Sequence, residues 1–269
     1  LMPPTEQPSL ITDTYVSNSN DSYWLSNPDN PLEGFSPIIG NEQQTRSLRT
    51  RAGLKFVEEV LNSDQKFDQS MVQNLLFNHR HYGAEVFLDD ILTVCTSNED
   101  LLEACEILSQ WDRRQDLDSV GAVIFNRFWS IARTVSEHYS VPFDVKNPIH
   151  TPSGLKIEET ATQDFITVAL QEAVTSLNEA GIPLNAKWGD VQFVLRNEEK
   201  IGIPGGSGRQ GMFSVITSRF DADKGGYNPI THGNSYIQAV TWNDDGTPNA
   251  KAILTYSQSP EPDSAFYSD

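Results

Sequence analysis

The order of the hydrophobic patterns constrains this chain more than any single motif does. Helical periodicity fills its first part and strand texture its last, with no alternation between the two. Apolar residues recur at helical spacing over Ser47 to Leu61, Asp68 to Phe77, Ala84 to Thr93 and Asp100 to Trp111. Asp64, Ser97-Asn98-Glu99 and Asp116 separate these runs as caps or turns, and Ser97 with Asp100 reads as a capping box. A longer helix is expected over Asp118 to Tyr139, with Val120, Val123, Ile124, Phe128, Ile131 and Val135 on one face, ending before Pro142. Beyond the turn-rich loop Pro142 to Gly154, another helix runs from Ile157 to Ala180. It opens on Glu158 and Glu159, which suit its positive end, and stops at Gly181-Ile182-Pro183. From Trp188 onward, β-branched and aromatic runs at Val191 to Leu195, Met212 to Thr217, Tyr236 to Trp242 and Ala250 to Tyr256 predict strands, and Gly233-Asn234-Ser235-Tyr236 reads as a strand entry. Asp244-Asp245-Gly246 predicts the hairpin turn between the last two. Helices first and strands afterwards give an α+β class, and no internal repeat is present.

The chain, 269 residues and 38% hydrophobic, has material for a real core. Nineteen basic against 37 acidic residues, a formal charge of -18, argue against nucleic acid or an anionic membrane as a partner, because both need clustered Lys and Arg. No run of about 18 apolar residues exists to span a bilayer. The start, Leu1 to Pro8, has neither the basic nor the apolar region of a signal peptide and no initiator methionine. A piece of a longer protein is therefore expected.

Chemistry concentrates in Tyr15 to Pro28, where Asn18, Ser19, Asn20, Asp21 and Ser22 meet Tyr23 and Trp24 with little hydrophobic periodicity. A side-chain amide can aim an N–H at a developing oxyanion without a titrating proton. The competing reading is an Asx-rich turn that caps a helix. Tyr23, Trp24 and Phe35 are candidates for the border of a pocket. Ile203 to Gly211 resembles a phosphate cradle but lacks the Gly-Lys-Ser/Thr ending, and the spacing around Ser207 fails for a nucleophile elbow, so a loop joining sheet strands is expected. The five histidines, His79, His81, His138, His150 and His232, are dispersed, and His79 and His81 on a helix would diverge, so no metal site is expected. Arg49 and Arg51 would by default face solvent or salt bridges. Cys95 and Cys105, ten apart around a turn, are either a disulfide closing a small loop or two buried thiols.

Six separated segments, taken in order, resemble one family. They are Asn18-Ser19-Asn20-Asp21-Ser22, Leu48-Arg49-Thr50-Arg51, Trp111 to Ala122, Trp188-Gly189-Asp190-Val191, His232 to Tyr236 and Leu254 to Ser259. Together they resemble the C-terminal part of the β-subunit of penicillin acylases, in particular the acyl-homoserine-lactone and aculeacin-type branch. The resemblance covers the chain from Tyr15 to Asp269 and implies part of an N-terminal nucleophile hydrolase with a four-layer αββα fold. In that setting, 1–46 is a site-bearing polar segment, 47–183 mainly helical and 184–269 mainly β; family members continue past Asp269 with a final strand.

The implied parent is a self-cleaving zymogen whose exposed N-terminal serine hydrolyses the acyl amide of an acyl-homoserine lactone or a penicillin-type substrate through an acyl-enzyme. No cofactor is implied. Matched to the family, Asn20 is the oxyanion asparagine, with Asn18 as the alternative. Arg49 orients the site, with Arg51 as the alternative. The nucleophile lies outside this chain, so the piece alone is expected to be inactive and to need the α-subunit and the N-terminal part of the β-subunit. The implied setting is periplasmic or secreted, which favours the Cys95–Cys105 disulfide. A noncatalytic acylase-like binding or interaction module is the alternative. The family's calcium site cannot be matched to residues here.

Overall fold

The structure, a computed structural model, describes residues 3–196, 199–254 and 259–267. Among the described residues before Ser47, the regular elements are two 3-10 turns, Pro4–Glu6 and Tyr23–Leu25. Four helices then follow, α1 (Leu48–Leu61), α2 (Gln69–Phe77), α3 (Tyr82–Cys95) and α4 (Leu102–Gln110). The first three starts obey capping chemistry: Ser47 accepts from Thr50 N, Asp68 from Met71 N and His81 from Ala84 N. The capping box expected at Ser97 does not form. Asn98 instead accepts from Asp100 N and opens a 3-10 turn, Glu99–Leu101, that leads into α4. His79 and His81 lie on no helix. His79 takes a left-handed backbone and bonds Asp116 at 2.7 Å, whereas His81 is the N-cap of α3.

The helix expected over Asp118 to Tyr139 is shorter than its apolar face suggests. Helix α5 covers Ala122–Ile131, and at Ala132 the backbone leaves helical space (φ -70°, ψ 51°). A 3-10 turn, Val135–His138, follows, and Tyr139 opens strand β1 (Tyr139–Val141). This strand pairs antiparallel with β2 (Ser153–Leu155), inside the stretch expected to be a loop, while the Tyr139 ring stacks on Phe87 at 5.2 Å. Ring packing and strand pairing win over the continuing helical period. Helix α6 (Thr160–Glu179) follows, and Phe87, Leu88, Ile91, Leu108, Phe125, Phe128, Ile166, Leu170 and Trp188 form the main core between α3, α4, α5 and α6.

After the short helix α7 (Trp188–Val191) come β3 (Phe193–Arg196), β4 (Glu199–Gly202), β5 (Ile216–Asp221), β6 (Gly226–Gly233), β7 (Tyr236–Trp242) and β8 (Pro248–Leu254). Among the described residues they pair consecutively as antiparallel two-stranded units, β3 with β4, β5 with β6 and β7 with β8. The α+β class holds. Strand β5 starts at Ile216 rather than Met212, and Gly233 ends β6 instead of opening β7. Gly246 takes φ 79° in the β7–β8 turn, a conformation that favours glycine.

Cys95, at the end of α3, and Cys105, in α4, are joined as a disulfide with Cα atoms 5.9 Å apart.

Candidate active site

The polar segment closes on itself before it docks. Ser17 N donates to Ser26 O at 2.7 Å, and the fully buried Asn27 donates from Nδ2 to Thr14 Oγ1 and Tyr15 O, both at 3.0 Å. Asn27 is a structural residue with no separate sequence signal, because its role depends on partners a dozen positions upstream.

The loop is pinned to the start of α1 through Asp21. Its Oδ1 accepts from Arg46 NH1 and from Ser22 N, each at 2.8 Å, and its Oδ2 accepts from Thr50 Oγ1 at 2.6 Å. Burial pushes the Asp21 carboxyl up, but the hydrogen bonds from Thr50 and Ser22 and the Arg46 charge outweigh it and hold the carboxyl below its usual range. Arg46 is itself buried and sits over the Trp24 ring at 5.4 Å.

This docking brings Asn20 to Arg49. The half-buried guanidinium donates from one nitrogen, NH2, to Ser19 O at 2.5 Å and to Asn20 Oδ1 at 3.1 Å. Asn20 is exposed, has φ 56°, and donates its backbone N–H to Asn18 Oδ1 at 2.8 Å. The Asx turn is therefore present together with the side-chain pair, and Asn18 serves the turn. A guanidinium has donors only, so the Asn20 atom facing it must be the carbonyl oxygen. The Nδ2 donor consequently points away from Arg49, and it has no hydrogen-bond partner among the described residues. A fixed, outward amide N–H of this kind can stabilise an anion formed beside it.

Arg51 takes a different position. It is buried, donates from Nε to Ile149 O at 2.7 Å, and lies over the Tyr82 ring at 5.5 Å. Burial lowers its affinity for a proton, and the nearby Tyr82 partly offsets this. It braces α1 from within.

Of the aromatic candidates, Trp24 is only 1% exposed, bonds Glu33 Oε1 through Nε1 at 2.7 Å, and forms a small core with Leu25, Leu54 and Ile149. It lies beneath the loop. Tyr23 and Phe35 are half-buried and meet edge to face at 5.5 Å. Tyr23 donates its hydroxyl to Glu42 Oε1 at 2.5 Å, and burial together with that carboxylate pushes the phenol up to about 12. Glu42 also receives Gly34 N and Phe35 N, so it organises the second turn of the segment.

The loop at Ile203 to Gly211 carries a 3-10 turn, Gly208–Gln210, and lies against α1 where Arg49 leaves the helix. No group of three or more His, Cys, Asp or Glu is placed to hold a metal among the described residues. Of the matched segment Leu254 to Ser259, residues 255–258 lie outside the described residues.

The family resemblance of the residue pattern agrees with the comparison to known proteins. All of 1–269 matches the family described as Penicillin amidase, and the chain belongs to that family. It is 35% identical over 275 residues to "Acyl-homoserine lactone acylase PvdQ" of Pseudomonas syringae pv. syringae, a match covering 100% of this chain and 35% of the relative. It is 36% identical over 284 residues to "Aculeacin-A acylase" of Actinoplanes utahensis, again over 100% of this chain and 35% of the relative. A PvdQ of Pseudomonas fluorescens is 32% identical over 268 residues, covering 98% of this chain and 34% of the relative. The chain thus spans about a third of the length of the curated relatives it matches.

Proposed function

We propose that this chain is the oxyanion-binding part of an N-terminal nucleophile acylase that cleaves the amide of an N-acylated small molecule, such as an acyl-homoserine lactone or a penicillin-type substrate. The observation that carries the reading is the Arg49–Asn20 contact, which turns the amide so that its donor faces outward. Relatives named for acyl-homoserine lactones and for aculeacin A support that substrate class.

In this mechanism an N-terminal serine from the part of the parent outside this chain attacks the substrate carbonyl. Its own α-amino group takes the hydroxyl proton and passes it to the leaving amine, and water then releases the acyl group. Asn20 Nδ2 donates to the tetrahedral oxygen, and Arg49 keeps the amide from flipping or withdrawing. Tyr23 and Phe35 border the approach. The scaffold is the αββα arrangement, completed by strands and helices of the α-subunit and the N-terminal part of the β-subunit. The disulfide supports a periplasmic or secreted setting. An exposed Asn20 bound by a side chain favours a working site over a purely structural role, for which a buried asparagine bonded to backbone alone would be expected.

The test is amide hydrolysis by the complete parent on acyl-homoserine lactones of increasing chain length and on penicillin G, beside its Asn20→Ala variant. Loss of one oxyanion donor is expected to reduce kcat about 100- to 1,000-fold with KM little changed. Equal rates in the two proteins would remove Asn20 from the site, and no hydrolysis by the unaltered parent would leave the noncatalytic module as the better account.

A further inference from the structure

Arg49 can hold Asn20 only if something holds Arg49. A Cβ on Gly208 would lie 3.1 Å from Arg49 Cδ and 3.2 Å from its Nε, tighter than side chains normally tolerate. The arginine has little room to yield, since its tip is fixed on Ser19 O and Asn20 Oδ1. Nor has the loop. Gln210 is buried, accepts Ser207 N at Oε1 (3.2 Å), and donates from Nε2 to Asn126 Oδ1 at 2.6 Å. Asn126 is also buried and donates to Ala122 O at 3.0 Å, within α5. At the other end, Gly205 O receives both Trp188 Nε1 (3.0 Å) and Gln192 Nε2 (2.8 Å), and Gly205 N donates to Gln115 O at 2.9 Å. Buried hydrogen bonds at both ends hold the loop in place.

We propose that the loop 205–211 is a positioning element: Gly208 gives the clearance in which Arg49 is seated, and the buried Gln210–Asn126 pair fixes that clearance, so that the Asn20 amide keeps its donor outward. This inference rests on the roles given above to Asn20 and Arg49. It assigns Gly208, Gln210 and Asn126 an effect on turnover although none of them is placed against substrate.

The experiment uses the complete acylase with a homoserine-lactone substrate that the unaltered enzyme cleaves. Gly208→Ala should reduce kcat roughly 10- to 100-fold, the range expected for displacement of a site group by a fraction of an ångström to one ångström. KM should hold, and the thermal midpoint should remain near that of the parent. Gln210→Met, which removes the loop's buried anchor without adding an atom beside Arg49, should give the same split between kcat and KM. In an Arg49→Ala background, Gly208→Ala should add no further loss, because both act through one contact. A crystal structure of the Gly208→Ala enzyme should show the guanidinium moved off Asn20 Oδ1. Full activity with an unmoved Arg49, or losses that simply add in the double variant, would overturn the inference while Asn20→Ala remained inactive. An active Asn20→Ala enzyme would instead sink the proposed function.

Discussion

Arg49 and Asn20 show how one hydrogen bond can set the polarity of a neutral side chain. An amide free to flip would present its oxygen half the time, a loss of only about twofold; the larger cost of losing Arg49 is positional. Arg49→Ala is therefore expected to reduce kcat about 10- to 100-fold, less than removal of the amide itself, and parallel kinetics of the two variants would check that ranking. Asp21 supplies a second prediction. Its carboxyl is held below its usual range, so its contribution to stability is complete above the unfolded value of about 3.9 and is lost as pH falls through the depressed value. Thermal midpoints measured between pH 7 and pH 2 should fall at the acid end, and Asp21→Asn should flatten that part of the curve. An unchanged slope would mean that Asp21 does not couple the loop to α1.

At the scale of elements, the sequence was most legible where one local rule decided the outcome. The apolar runs over Ser47 to Leu61 and Asp68 to Phe77 become α1 and α2, and Asp244-Asp245-Gly246 turns β7 into β8. The sequence was least legible where partners distant in the chain decided. Strand β6 has the composition of a loop, with Gly226, Asn228, Pro229 and Gly233, yet it pairs with β5 while Tyr227 meets Trp188 at 5.1 Å and Phe220 at 5.5 Å. The site behaved in the same way: residue types pointed to Asn20 and Arg49, but only folding puts one against the other across 29 positions. Asn27 and the Gly208 wall gave no signal at all, since neither loop closure nor missing Cβ clearance is a pattern.

Two stability predictions belong to this scale. Ser47→Ala should cost about 1 kcal/mol through loss of the α1 cap, read by denaturant unfolding. Reducing the bond between Cys95 and Cys105 should cost about 2 to 3 kcal/mol on the chain-entropy estimate, read as a drop in thermal midpoint, while a midpoint indifferent to reductant would contradict it.

The whole molecule carries its strands as separate antiparallel pairs among the described residues, and strand β8 is exposed along its length. Trp242 at 70% and Tyr236 at 57% exposure stand on the same hairpin as Ile253, an apolar surface of the kind that another chain covers. On the proposed mechanism, in which the nucleophile lies outside 1–269, these residues alone should show no hydrolysis and should gain it when co-expressed with the part that carries the nucleophile. Activity of 1–269 by itself would refute the division of the site across the parent. The most direct test of the central claim is the affinity of the complete enzyme for an alkylboronic acid, which forms a tetrahedral adduct with a serine nucleophile and so mimics the charged intermediate. If Asn20 donates to that oxygen, Asn20→Ala should weaken boronate binding about 100-fold or more while KM for the substrate stays within a few-fold. Equal boronate affinity in the two enzymes would contradict the claim.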